Sequence, residues 1–402
     1  VQAAPNAQAF RLQPGEALGC VTRDILMCTM TVLGAPNEVY LLTHSALRAR
    51  LGLPTSAHVS RIDPHSLKTL QCSPKLPGGP MWPGGLALHR NGHLYVVYGR
   101  YAHRLNRACE VTGSLKLPVN QAYNSFVVLA CGLIVTKNLS DTAPAQLSVI
   151  DPDNFTFVGD PVMCPEPSIA RLSAHGDTVY VVGTRSIFRM SWDAASRRLV
   201  PDPLWRFDYL AGSQGQTYGW DVVLADGQAW FMDNGKHRYR INMIGAGVST
   251  APNRLIRVAL DDSNDHSITT VSGVAGGSIT NPPLVDAQRH IVLAYDSANR
   301  VLCAYRFDPP SRALEPLWRK SPFGCSSHMI LYPQSGEVVT NDYRRGGEEV
   351  VVLDIETGTE RARVRVGGLF QGVVFPSPGW HRDLYWCSLG RLSRVFVTNG
   401  LR

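Results

Sequence analysis

The chain has no Cys-x-x-Cys and no adjacent cysteine pair, which argues against zinc modules and dithiol redox motifs, and four iron-binding histidines of the carotenoid-oxygenase kind cannot be assigned. Its nine cysteines (Cys20, Cys28, Cys72, Cys109, Cys131, Cys164, Cys303, Cys325 and Cys387) are scattered. They read mostly as small buried hydrophobes on strands, and the odd count favours a reducing compartment. No apolar stretch approaches the ~20 residues needed to cross a bilayer. No run of Lys or Arg forms a nucleic-acid arm, and the net charge of +7 is moderate for 402 residues. A Gly-x-Ser-x-Gly elbow, a phosphate-binding Gly-rich loop followed by Lys, and a dinucleotide fingerprint are also missing, which argues against serine-hydrolase, ATPase and Rossmann activities. The expectation is a soluble monomer with neither nucleic acid nor membrane as partner. The opening Val-Gln-Ala-Ala-Pro lacks an initiator Met, compatible with a removed signal peptide or a trimmed chain, so both cytoplasmic and secreted locations stay open. Asn138-Leu-Ser and Asn154-Phe-Thr fit the glycosylation pattern and add little to that choice.

What the chain does have is 36 Gly, 27 Pro and only 18% charged residues, a composition of short strands joined by tight turns. A short apolar strand running into Asp and two or three turn residues recurs at Asp63, Glu110 (a relaxed form), Asp151, Asp193, Asp261, Asp308 and Asp354, with an eighth copy at Thr398-Asn399-Gly400. Most intervals lie between 41 and 47 residues. Before each turn come three apolar runs, as in His328-Met-Ile-Leu-Tyr, Glu337-Val-Val-Thr and Glu349-Val-Val-Val-Leu, and after it an alternating run, Arg361-Ala-Arg-Val-Arg-Val. Four antiparallel strands per unit is the pattern of a propeller blade. Inner strands are expected to begin near Gly84, Asn124, Ser168, Asp221, Asn281, His328 and Gln371, with that of the first unit around 26–32. Two units are stretched between their second and third strands, the first by Ser45 to Ser56 and the fifth by Gly235 to Asn253. The last unit lacks a fourth strand, and residues around Phe10 to Cys20 are left to supply it. The expected fold is therefore all-β: one domain over 1–402, a single β-propeller of eight four-stranded blades, with seven as the alternative, closed by the N-terminal strand and carrying a lid-like insertion at about 235–253.

The alternating strands and the Leu-Asp354-Ile-Glu-Thr-Gly358 turn resemble those of quinoprotein-like and YVTN-like propellers, and more loosely those of the gluconolactonase and strictosidine-synthase-like group. The vicinal disulfide and tryptophan docking motifs usual in quinone-dependent dehydrogenases are lacking, so neither a quinone nor a nucleotide cofactor is expected.

Candidate site residues come from inner-strand starts and second-to-third loops, which open on one face of the central channel. The starts are polar among apolar neighbours: Trp82, Asn124, Glu166, Tyr218, Trp220, Asp221, Asn281, His328, Phe370 and Gln371. Convergence of Glu166, Asp221, Asn124 and Asn281 would offer hard oxygen donors to Ca²⁺ or Mg²⁺. Lactonase-type propellers hold a metal with a similar set, and that resemblance implies a metal polarising a carbonyl or phosphoryl oxygen. His328 is the one histidine at such a start and the candidate general base. The loops add Arg100, Lys137 and, in the fifth insertion, His237 within Lys236-His-Arg-Tyr-Arg240, cations suited to an anionic ligand.

These residues lead to a non-redox enzyme acting on a small, anionic or aromatic molecule by lactone or ester hydrolysis, lyase, isomerase or cyclisation chemistry. In that reading His328, Glu166 and Asp221 are catalytic, while Asn124, Asn281, Tyr218, Trp220, Trp82, Phe370, Gln371, Arg100, Lys137 and His237 bind substrate. A pocket that catalyses by shape alone needs none of the acid–base roles. The alternatives are a polysaccharide lyase or carbohydrate-binding propeller, whose rim cations would meet uronate carboxylates, and a non-enzymatic interaction scaffold with apolar outer loops.

Overall fold

A computed structural model of the chain describes residues 7–25, 28–45, 48, 51, 53, 55–79, 84–235, 249–344, 347–368, 375–388 and 390–399. Among them every extended element is a β-strand, and the strands form eight separate antiparallel sheets. The blades, numbered along the chain, have inner strands Cys28–Leu33, Gly85–Leu88, Tyr123–Val128, Ser173–His175, Val223–Ala225, Leu284–Asp286, Ile330–Tyr332 and Ser377–Pro378. The molecule is an eight-bladed β-propeller.

Burial follows position within the blade. Second strands are sandwiched by neighbouring blades: Leu94–Tyr98 and Gln228–Met232 are buried at every residue, and all of these but Gln228 are apolar or aromatic. Outer strands such as Val111–Lys116 and His266–Thr270 alternate, because one face meets solvent. In blades 1 and 3 the outer position is shared by two short segments, Thr69–Cys72 with Leu76–Gly79 and Thr156–Phe157 with Val162–Met163.

The repeated turn is an Asx turn whose side chain accepts main-chain N–H bonds two and three residues on. Asp63 takes them from His65 and Ser66 at 3.1 and 2.6 Å, and Asp354 from Glu356 and Thr357 at 3.0 and 2.9 Å. Two positions differ from expectation. In blade 2 the acceptor is Asn106, bonded to the N–H groups of Ala108 and Glu110, and in blade 5 it is Asp262 rather than Asp261. Glutamate is one methylene too long to close such a turn on its own backbone, so Glu110 serves as a donor within it. At the C-terminal end Thr398 and Asn399 continue the strand, and Gly400 lies outside the described residues.

The turn also joins blades. The carbonyl just after the Asx residue accepts a bond from an aromatic side chain of the preceding blade: Tyr40 to Arg107 at 3.0 Å, Tyr95 to Pro152 at 2.6 Å, Trp318 to Ile355 at 2.8 Å and Tyr385 to Pro64 at 3.2 Å. Each ring fills the gap between two blades while its polar tip finds a partner at the far edge.

Blade 8 is completed by Glu16–Asp24, antiparallel to Arg391–Asn399 with Glu16 opposite Asn399 and Asp24 opposite Arg391. Arg382 fastens the joint, donating to the carbonyls of Phe10 and Arg11 at 2.6 and 3.0 Å and to both Glu16 carboxylate oxygens at 2.8 and 2.6 Å. That pairing holds the Glu16 carboxyl down at about 2. Phe10 is fully buried, its ring edge-on to Tyr332 of blade 7.

Eight cysteines have described side chains, and five of them are buried, at Cys109, Cys164, Cys303, Cys325 and Cys387.

Candidate functional site at the propeller axis

In blades 4 to 7 the regular inner strand begins later than the sequence suggests. Polar residues expected at its start occupy an extended lead-in ahead of it. These lead-ins are tied to the second strand of their own blade. Asn341 accepts the N–H groups of Ser326 and Ser327 at 2.9 and 3.1 Å, fixing the backbone beside His328. The Tyr295 hydroxyl takes the N–H of Asn281 at 2.6 Å and donates to its carbonyl at 2.7 Å. Ser168 donates to the Val182 carbonyl at 2.7 Å, and Trp220 N–H to that of Met232 at 3.0 Å. Carboxylates at second-strand ends do similar work: Asp233 accepts Arg254 N–H at 2.7 Å, Asp296 that of Ser278 at 3.2 Å and Asp342 that of Gly324 at 2.8 Å. The axial side chains therefore stand on a hydrogen-bonded frame.

Lead-ins from four blades meet through one arginine. Arg171, before the inner strand of blade 4, donates from Nη1 to Nε2 of His328 in blade 7 at 3.1 Å. Its guanidinium lies 4.0 Å from the ring centre of Phe375, at the start of blade 8, and 3.6 Å from Oδ2 of Asp221 in blade 5. The backbone N–H of Arg171 donates to Oδ1 of Asp221 at 2.6 Å. Blades 4 and 7 are not neighbours, so these contacts cross the axis. His328 and Phe375 also face each other, with ring centres 4.8 Å apart. Lys137, at the end of the second strand of blade 3, reaches toward this cluster: its Nζ donates to the carbonyls of Ser168 at 2.9 Å and Asn138 at 3.2 Å.

Burial sets the protonation of the cluster. The Asp221 carboxyl is pushed up by loss of solvent, against the opposing charges of Arg171 and Lys137. The Lys137 ammonium is pushed down to about 8 by the same cause, with only partial relief from nearby acidic groups. His328 is held well below its ordinary value, first by burial and then by the Arg171 charge, and is neutral at physiological pH. Because Arg171 donates to Nε2, the ring proton belongs on Nδ1.

The expected residues are placed unequally. Asp221, His328 and Lys137 belong to the axial cluster. Glu166 is not brought to it: its carboxylate accepts both the N–H and the hydroxyl of Ser186 and stands 4.0 Å from Arg206 on the outer strand of its blade. The expected convergence of Glu166 with Asp221 is thereby corrected. Ser186 presents two donors just ahead of the third strand, and they draw the carboxylate into the blade. Asn281 is fully buried, its amide group donating to the Ser326 carbonyl and its Oδ1 left without a hydrogen bond among the described residues. Arg100 spans its loop to Asn120 at 2.9 Å. Tyr218 and Trp220 are buried in the apolar core around blades 5 to 7. Asn124 lies in the inner strand of blade 3, its side chain outside the described residues. Trp82, His237, Phe370 and Gln371 lie outside them too, as do 236–248 of the expected lid. Among the described residues no three His, Cys, Asp or Glu side chains assemble as metal ligands.

Arg171 escaped the sequence reading. The available signal is a charge inside the apolar run Ile169-Ala-Arg171-Leu172, three residues beyond the expected strand start.

No protein-family model matches the chain, and no curated protein matches it. Solved structures similar to it include the Dos1 propeller, 10% identical with a TM-score of 0.59 and covering 94% of each chain. U3-55K is 8% identical with a TM-score of 0.53, covering 94% of this chain and 98% of that one. Virginiamycin B lyase from Staphylococcus aureus is 8% identical with a TM-score of 0.50, covering 78% and 94%. At such identities the likeness is one of fold, that of a β-propeller.

Proposed function

We propose that the protein is an enzyme that takes a small organic anion into the axial site and acts on it by non-redox proton transfer, as in a lyase, isomerase or lactone hydrolysis. The observation that carries this reading is the meeting of Arg171, Asp221 and His328 across the axis from three different blades. Two cations, Arg171 and the Lys137 ammonium, face a single carboxyl that burial already biases toward its neutral form, so the site favours an added negative charge. A carboxylate on the guanidinium of Arg171 competes with His328 for the same donor. Once released, Nε2 offers a lone pair for a substrate proton, and the anion offsets the charge that depresses the imidazole. Asp221, held up by burial, returns a proton as general acid.

The test is thermal stabilisation by a panel of small carboxylates and lactones, including succinate, benzoate, mandelate and gluconolactone, in the native protein and Arg171→Gln. At least one carboxylate is expected to raise the melting temperature of the native protein and to lose most of that effect in the variant. If no carboxylate shifts the native protein, or the shift is unchanged in Arg171→Gln, the reading fails.

A further inference from the structure

Lys137 is a costly residue to bury. Its side chain is 1% exposed, in a chain with only six lysines. Lys68, Lys75 and Lys116 are exposed and Lys320 is partly so. Buried arginines in this protein are matched to carboxylates: Arg254 meets Asp233 at 2.6 Å and Arg257 meets Asp265 at 2.5 Å. Lys137 meets two main-chain carbonyls instead, and no carboxylate lies within ion-pair distance of it among the described residues. An ammonium has three N–H groups, whereas a neutral amine has two and a lone pair. The two acceptors match the neutral amine and leave the lone pair over. That count agrees with the fall of the amine to about 8, which leaves roughly a tenth of it unprotonated at pH 7, and that neutral fraction is a nucleophile.

We propose that Lys137 is an imine-forming nucleophile and that the ligand is a small carbonyl compound bearing a carboxylate, a 2-oxo acid or an aldehyde acid. This rests on the anion reading above, because Arg171 holds the carboxylate while the carbonyl meets Nζ. The nitrogen lone pair forms the C–N bond as the carbonyl π electrons move to oxygen. That oxygen, on the ligand lodged between Nζ and Asp221, takes a proton from the Asp221 carboxyl, and the nitrogen passes one to the resulting carboxylate through the new hydroxyl. Asp221 then protonates the hydroxyl, which leaves as water as the nitrogen electrons form C=N. Amine, carbonyl and the Asp221 proton give the iminium, the Asp221 carboxylate and water, with no oxidant or reductant consumed. The iminium so formed withdraws electrons from the adjacent carbon, which makes loss of a proton there easier.

The experiment treats the intact chain at pH 7 with sodium cyanoborohydride and either pyruvate or glyoxylate, then maps the alkylated lysines by peptide mass spectrometry. Lys137 is expected to be modified faster than Lys68, Lys75 or Lys116 by about two orders of magnitude, the ratio of neutral amine at pKa values near 8 and 10.4. Asp221→Asn should slow the modification. Lys137→Arg should abolish it while keeping the blade contacts, a melting curve confirming the fold. Absence of an adduct with both probes, or labelling of Lys137 no faster than of the exposed lysines, overturns the proposal. Binding of lactate, which has the carboxylate but no carbonyl, separates the two readings. Lactate stabilisation without an adduct leaves the anion site standing and removes the imine. Failure of lactate together with an adduct from acetaldehyde does the reverse.

Discussion

Lys137 carries a pH signature opposite to that of a lysine held by a carboxylate. Its amine releases its proton near pH 8 when folded and near 10.5 when unfolded, so between those values the unfolded chain binds more protons and stability rises with pH. At neutral pH the buried charge is a cost, and alkali removes it. The stability of the native protein relative to Lys137→Met should therefore increase by about 2 kcal/mol from pH 7 to pH 9.5, measured by urea unfolding at each pH. A flat difference would mean that the folded amine titrates like an exposed one. Some of this site was legible in the chain. Asp221 and His328 stand out as polar residues among apolar ones, and such residues at a strand start have few places to go but the channel. Glu166 has the same local signature, and only the two donors of Ser186 decide that it turns into its blade. Arg171 was invisible for a related reason: its importance lies in contacts with blades 7 and 8, roughly 160 and 200 residues away in sequence, which no local pattern encodes.

At the level of strands and turns the chain is far more readable, because period-two alternation and Asx turns depend on residues within a few positions of one another. The turn at Asp354 shows this, with strand, acceptor and Gly358 at φ +67° all contiguous. What that pattern withholds is the second use of the turn as an acceptor for the preceding blade. The loss of the Tyr385 bond takes its donor from the buried Pro64 carbonyl, whereas the Pro152 carbonyl keeps Arg104 at 3.2 Å when Tyr95 is lost. Tyr385→Phe is expected to lower stability by about 1 kcal/mol or more and Tyr95→Phe by less, with little change in the denaturant slope, checked by guanidinium unfolding. Equal stability of variant and parent would show that the hydroxyls add nothing to what the rings bury. Tyr385 is the more informative of the two, since its bond to Pro64 joins blade 8 to blade 1.

For the molecule as a whole, closure matters most. A propeller with its last blade incomplete exposes a full strand edge, which invites pairing between molecules. Arg382→Ala should loosen Phe10, Arg11 and Glu16 together. Removal of residues 1–24 should go further, giving a concentration-dependent aggregate by light scattering where the parent chain stays dispersed. A deletion variant as monodisperse as the parent would show that the three remaining strands of blade 8 suffice. The closing strand was predictable because three apolar runs in the last unit require a fourth from elsewhere. The lead-ins were less so, since their extended course depends on bonds such as those from Asn341 and Tyr295 across the blade.

Because Glu16 lies opposite Asn399, the two ends of the folded chain form one unjoined hairpin. Order of synthesis then runs against order of pairing: the first strand of the propeller to be made waits for the last, while seven blades are completed between them. A permuted chain that begins at Cys28 and carries Glu16–Asp24 after Asn399 through a short turn would turn that longest-range pairing into the most local one. It should reach the same ring by a faster route, with stability little changed and refolding rate increased.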